Sequence, residues 1–195
     1  MNLPNKLTMA RMAAIPFFIG CFYLPDWGFT LFGAELKVKH LIAAAIFILA
    51  YITDTLDGRI ARKYGLVTDF GKLMDPIADK LLTAACMIML IREDLMSVCN
   101  FLMPVFTVII IAREFLVSGM RLVAASRGRV IAAGVLGKIK TTVQSIALPI
   151  VLIAGPVFRA VRVPFDFFSM VLAVFFTVWS GVDYIVKNKA LFEDK

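Results

Sequence analysis

Residues 39–92 read KHLIAAAIFILAYITDTLDGRIARKYGLVTDFGKLMDPIADKLLTAACMIMLIR. Two strongly apolar runs, 39–56 and 76–92, bracket a charged middle. Each is about long enough to cross roughly 30 Å of hydrocarbon at about 1.5 Å per residue. Four aspartates, Asp54, Asp57, Asp75 and Asp79, stand where these runs meet the charged middle. Asp54 and Asp57 are spaced i, i+3, and Asp75 and Asp79 i, i+4, so on helices each pair shares a face. Two such pairs facing one another beside hydrocarbon would be prohibitively costly without counter-charge. Hard divalent cations with oxygen ligands supply it, which points to Mg²⁺ or Mn²⁺. A solvated loop accounts for any one of these charges, but less well for four carboxylates at helical spacing. Gly58 and Gly71 allow close approach to the backbone, and Arg62 can fork onto a phosphate.

Outward from this stretch the chain keeps the same character. It has 195 residues, 61% hydrophobic and 18% charged, with a mean hydropathy of +0.86. Apolar runs lie near 12–25, 39–56, 76–92, 101–120, 140–158 and 165–186. An all-α polytopic membrane protein is predicted, a single domain over 1–195 with about six transmembrane helices. A short interfacial helix is expected over 2–11, NLPNKLTMAR,. The net charge of +7 is spread over the connections between runs, which favours anionic lipid and anionic substrates over nucleic acid. Cys21, Cys86 and Cys99 form no CxxC or Cys/His pattern and read as packing residues. His40 opens an apolar run and is given no catalytic role. No cleavable signal peptide is expected.

Lysine and arginine mark the sides of the membrane. Lys6, Arg11, Arg59, Arg62, Lys63, Lys72, Arg121, Arg127, Arg129, Lys138, Lys140 and the C-terminal lysines fall on one side. The other side has Lys37, Lys39, Arg92, Arg159 and Arg162, offset by Asp26, Glu35, Glu93, Asp94 and Asp166. Both termini and the aspartates are therefore expected in the cytoplasm, in a multi-pass protein of the cell's inner membrane.

The pattern D-x2-D-G-x2-A-R-x8-G-x3-D-x3-D is met at Asp54, Asp57, Gly58, Ala61, Arg62, Gly71, Asp75 and Asp79. It resembles the signature of the CDP-alcohol phosphatidyltransferases, integral membrane enzymes of phospholipid synthesis. The resemblance implies that Asp54, Asp57, Asp75 and Asp79 hold two metal ions, Asp79 also accepting the proton of an attacking hydroxyl. It implies a CDP cradle of Gly58, Ala61, Arg62, Asp69 and Gly71, with CDP-diacylglycerol as donor, and a homodimer. Physically, neighbouring carboxylates raise proton affinity and metals lower it, so sequence alone leaves the general base open. Two ions suit phosphoryl transfer, which needs charge stabilisation at both attacking and leaving oxygens.

A second constellation bears on the acceptor. Arg113 and Glu114 interrupt the apolar run VFTVIIIAREFLVSG, where charges are expensive and usually functional,. Arg121 lies about two turns further, and Lys138 and Lys140 open the next run. Such a basic group beside the metals suits an acceptor carrying its own phosphate; an Arg113–Glu114 pair with ordinary loop charge is the plainer reading. The runs NLPNKLTMAR, REFLVSGMR and GKIKTTVQ resemble the branch of the family whose acceptor is sn-glycerol 3-phosphate. That likeness implies that some of Arg113, Arg121, Lys138 and Lys140 hold the acceptor's phosphate. Asn5 and Thr8 are candidates for the nucleotide or acceptor side, or for helix capping. The alternatives are a sibling with another acceptor (phosphatidylglycerol, serine or inositol phosphate) and, from a different class, an intramembrane cation transporter.

Overall fold

In the computed structural model, residues 3–64, 69–128 and 134–189 are described, with side chains for all of these except 3–4, 57–64, 69–73 and 75. Six long helices follow one another: α1 (Leu3–Cys21), α2 (Val38–Tyr64), α3 (Asp69–Glu93), α4 (Met103–Ser126), α5 (Val135–Val161) and α6 (Phe165–Asn188). A helix satisfies its backbone groups internally, which is what hydrocarbon demands of a spanning segment. Among the described residues, four helical segments are long and apolar enough to cross a membrane: Val38–Leu56, Asn100–Ser126, Val135–Val161 and Phe165–Asn188. The chain is an all-α polytopic membrane protein. The first and third of the six expected spans fall short of that measure, since α1 carries Lys6 and Arg11 and α3 carries Asp75, Asp79 and Lys80.

Three local expectations change. Among the described residues no separate helix precedes the first apolar run: α1 is continuous from Leu3, with Pro4 in its first turn, where a missing N–H costs nothing,. It ends at Cys21, four residues before Pro25, in a series of tight turns over 22–24. Second, α2 continues eight residues past the apolar run and α3 starts seven before it. The four aspartates lie within helices, as their spacing predicts, while Arg59, Arg62, Lys63 and Lys72, expected in a loop, belong to helical turns as well. Third, a two-stranded hairpin, β1 (Gly28–Leu31) and β2 (Ala34–Lys37), stands between α1 and α2, with Phe29 opposite Leu36 and Leu31 opposite Ala34. Of the cysteines, Cys21 and Cys86 are buried as expected, whereas Cys99 is exposed, at φ +53° before the 3₁₀ turn Asn100–Leu102.

Packing orders the helices around a core of Phe18, Phe22, Phe47, Met87, Leu90, Met103, Ile110, Leu148, Leu152 and Met170. α5 packs chiefly on α6 and α2, α1 on α2 and α3, and α4 on α6 and α3. One end of the bundle is closed by paired charges. Lys39 bridges Asp26 at 2.7 Å and Glu93 at 2.9 Å. His40 Nε2 meets the same Glu93 carboxylate at 2.9 Å, and Arg92 lies 4.2 Å over the Tyr23 ring. Lys37 and Lys39 together hold the exposed Asp26 carboxyl down at about 2, well below the usual range. The start of α6 joins this end through Asp166, which accepts the Ser97 N–H at 2.6 Å and the Ser97 hydroxyl.

At Gly155, α5 passes close to the backbone of this closed end. A Cβ there would lie 2.2 Å from the Leu95 carbonyl oxygen, a backbone atom that cannot swing away. At Gly119 of α4 a Cβ would meet nothing within 4 Å. Gly155→Ala is expected to destabilise the protein by about 1–3 kcal/mol. Gly119→Ala should leave it unchanged or more stable by up to about 1 kcal/mol. Thermal unfolding midpoints of the two variants in detergent check this; equal midpoints would refute the close approach.

Candidate active site

Polar side chains gather in the opposite half of the bundle. On α2, Asp54 pairs with Arg11 of α1, N–O 2.6 Å, with the arginine 3% exposed. Asp79 of α3 lines the same small cavity, of about 40 Å³, together with Glu114, Lys140 and Gln144. Lys140 is 3% exposed and its Nζ donates to Glu114 Oε1. Arg113 Nη1 lies 3.5 Å from that same oxygen, and its Nη2 donates to Ser180 Oγ of α6 at 3.0 Å. Glu114 thus answers two cations inside an apolar bundle, which is how a buried carboxylate is held without large penalty.

A second, larger cavity of about 400 Å³ adjoins the first. Tyr51, Asp79, Lys80, Glu114 and Thr141 line both. To these the larger one adds Arg113, Arg121 and Lys138. Among the described residues its charged lining is four basic side chains against two carboxylates, a balance that favours a polyanion. Arg121 reaches it from two turns beyond Arg113 on α4, its guanidinium 5.6 Å over the Tyr184 ring. Gly181 leaves room for Arg113: a Cβ there would come within 3.1 Å of Arg113 Cγ. Lys80 donates to the Ser118 hydroxyl, which itself donates to the Glu114 carbonyl at 2.7 Å.

The residues singled out from sequence are therefore distributed as follows. Asp54 and Asp79 share a cavity wall. Asp57, Gly58, Ala61 and Arg62 belong to the last turns of α2, and Asp69, Gly71 and Asp75 to the first turns of α3. The side chains of these seven lie outside the described residues. Among the described residues no three metal-ligating side chains cluster. Arg113, Arg121 and Lys138 converge on the larger cavity with Asp79, whereas Lys140 faces the smaller one and is engaged by Glu114. Asn5 and Thr8 are buried on α1. Three participants were not singled out: Arg11, Lys80 and Ser118. The signal for Lys80 is present, a lone cation beside Asp79 at the head of an apolar run, and Arg11 ends the run NLPNKLTMAR.

The family model described as CDP-alcohol phosphatidyltransferase matches residues 1–179. The chain belongs to the CDP-alcohol phosphatidyltransferase family. It is similar to the CDP-diacylglycerol–glycerol-3-phosphate 3-phosphatidyltransferase of Bacillus subtilis, 48% identical over 96% of this chain and 95% of that protein. It is also similar to the Rickettsia bellii protein of the same name, 38% identical over 98% and 97%. A plant relative, CDP-diacylglycerol–glycerol-3-phosphate 3-phosphatidyltransferase 2 of Arabidopsis thaliana, is 36% identical over 95% of this chain and 79% of its own. Within this family frame, the donor set is suited to a hard cation. Asp54 and Asp79 offer carboxylate oxygens to one cavity, and further aspartates stand one turn away along each helix,.

The Glu114–Lys140 contact yields a direct test. Lys140→Met takes from Glu114 its nearest cation, leaving the more distant Arg113 and Lys80, and is expected to cost about 3 kcal/mol of stability,. Adding Glu114→Gln removes the stranded charge and should recover about half of that loss. Unfolding of the two single variants and the double variant in detergent measures the coupling; additive losses would show that the pair is not a unit.

Proposed function

We propose that this chain transfers the phosphatidyl group of CDP-diacylglycerol to sn-glycerol 3-phosphate, releasing CMP and forming phosphatidylglycerol phosphate. The observation that carries this reading is the single cavity lined by Asp79 together with Arg113, Arg121 and Lys138. A carboxylate able to take a proton and a set of cations able to hold a phosphate dianion line one cavity. Arginine matches phosphate oxygens bidentately, and lysine adds a point charge. An acceptor without a phosphate, such as serine, has no use for such a clamp. The names of the relatives point to the same acceptor.

In this reaction the clamp holds glycerol 3-phosphate by its phosphate and directs the free primary hydroxyl towards Asp79. That oxygen attacks the phosphorus bonded to diacylglycerol, Asp79 takes the hydroxyl proton, and the bond from phosphorus to the CMP oxygen breaks. Gly58, Ala61, Arg62, Asp69 and Gly71 cradle the cytidine diphosphate. Asp54, Asp57, Asp75 and Asp79 would hold divalent ions, Mg²⁺ or Mn²⁺, which would supply charge neutralisation for the phosphate groups. Arg11 holds Asp54 in position from α1.

The site end of the bundle is the cytoplasmic one. Lys6, Arg121, Arg127 and Lys138 are exposed there, while at the opposite end Lys37, Lys39 and Arg159 are matched with Asp26, Glu93 and Asp94. An excess of basic residues marks the inner face, and on this reading the start of α1 and the end of α6 face the cytoplasm.

An acceptor panel tests the reading. Protein in detergent with CDP-diacylglycerol and Mg²⁺ or Mn²⁺ should release CMP with glycerol 3-phosphate, and not with serine, inositol phosphate or phosphatidylglycerol. Release with serine alone would overturn the acceptor. EDTA should stop release and either ion restore it; turnover that survives chelation would remove the metal. Arg121→Ala should raise KM for glycerol 3-phosphate about tenfold while the donor KM moves by less than about twofold. A glycerol 3-phosphate KM that stays put would take Arg121 out of the clamp.

A further inference from the structure

The hairpin between α1 and α2 is amphipathic. Directly opposite residues of an antiparallel pair share a face, and successive residues alternate between faces. Phe29 with Leu36 and Leu31 with Ala34 therefore make one face, and Thr30 with Glu35, followed by Lys37, the other. β2 packs on α5, and Ala34 and Leu36 are buried. β1 overhangs: Phe29 and Leu31 share the face of their buried partners yet are 48% and 41% exposed. The tip adds Phe32, which is 74% exposed. Phe32 and Gly33 are the two turn residues, at φ +50° and +78°. A turn with both central residues at positive φ favours Asn-Gly, and a bulky side chain in the first of these positions is strained. A phenylalanine thus stands where the turn itself selects asparagine and where the bundle does not cover it.

We propose that this hairpin anchors the closed end of the bundle in the lipid–water interface, with Phe29, Leu31 and Phe32 among the upper acyl chains and Thr30, Glu35 and Lys37 in the headgroup layer. Two physical limits select that depth. The hydrocarbon interior is excluded, because a two-stranded sheet has two outer edges whose N–H and C=O groups need water. Bulk water is unfavourable, because three large apolar side chains on one overhang gain by leaving it. Only the interface meets both conditions. Continuity puts lipid within reach: β2 runs directly into the span Val38–Leu56, and Ile42, about one turn into that span, is exposed,. Tyr23 and Trp27, exposed just before β1, are the residue types that mark such interfaces,. Charge favours lipid over a protein partner. Lys37 and Lys39 already have Asp26 and Glu93, so the surface beside the overhang offers little charge to specify a protein, and a headgroup layer requires none. The anchor is independent of the chemistry in the other half of the bundle.

A reporter at the tip reads its depth. Trp27→Phe with Trp179→Phe removes both native indoles, and Phe32→Trp then supplies a single one. The protein is placed in phosphatidylcholine–phosphatidylglycerol nanodiscs whose lipids carry bromine either near the carbonyl end of their chains or near the methyl end. Shallow bromine should quench the emission at least about twofold more than deep bromine, and dissolved iodide should quench it weakly, as burial about 5–10 Å into the boundary requires. Strong quenching by iodide with none by lipid would put the tip in water and overturn the proposal, as would stronger quenching from the deep position. Quenching by none of the three would show a protein surface over the tip, a second copy if Phe32→Cys then cross-links two chains, and would overturn it equally. If those variants do not fold, the unaltered protein decides. A phosphatidylcholine carrying a diazirine near the carbonyl end of one chain should label residues 27–33, and labels that miss this segment would sink the anchor. Phe32→Asn, which suits the turn, should lower that labelling about threefold through the lost apolar area; labelling that does not change would overturn the part given to the tip.

Discussion

A charge inside a bundle of apolar helices must find a partner, and the pairing of such charges decides how this protein is arranged. At one end Lys39, His40 and Glu93 draw the start of α2 to the end of α3, and Asp166 ties the start of α6 to the segment after α3. In the other half, Arg11 meets Asp54 and Lys140 meets Glu114. Each contact joins two helices that hydrophobic packing alone would leave free to slide, because one lipid-facing apolar surface resembles another. Register along the bundle is thus set by a few polar contacts.

The two ends use the same chemistry to different effect. At the closed end acids and bases are matched, and buried partners such as Asp166 and Gly155 leave little room for rearrangement. In the site half, among the described residues, the cations outnumber the carboxylates around the larger cavity. The surplus is what a phosphate-bearing molecule would neutralise on binding. Stability is concentrated where the helices are tied, and ligand-binding capacity where positive charge is left over, a division expected when binding sites draw on the less constrained parts of a fold.

What the sequence discloses, and what it hides, follows from the range of each signal. The apolar runs are local and long, so six helices and their all-α class can be read from composition and run length. The aspartate spacing is local too, which is why Asp54 and Asp79 were legible before any fold was known. Extension of α2 to Tyr64 and of α3 back to Asp69 was not, because charged helical turns beyond the hydrocarbon look like loop when hydropathy is the guide. The hairpin over 28–37 was hidden for a similar reason: two four-residue strands between spans carry little periodic signal. Lys140 shows a third kind of limit. Its position beside Lys138 suggested a shared role, yet the two are two residues apart on α5 and face different cavities, as side chains about 200° apart on a helix should. Its partner Glu114, on another helix, is visible only in three dimensions.

The arrangement also bears on how two substrates of opposite solubility reach one reaction centre. Glycerol 3-phosphate and CMP belong to water, while donor and product carry two hydrocarbon chains. Were the site open only to the aqueous side, each turnover would require drawing a lipid out of the bilayer, at about 0.8 kcal/mol for every methylene exposed. On the proposed reaction, a polar cavity lined by α3, α4 and α5 together with a groove between α3 and α4 removes that demand. The soluble reactants meet the cations, and the lipid moves within its leaflet, never leaving hydrocarbon. Lys80 lines both cavities and the groove, so a cation stands where the polar and apolar surfaces meet, one residue past the last aspartate of the signature.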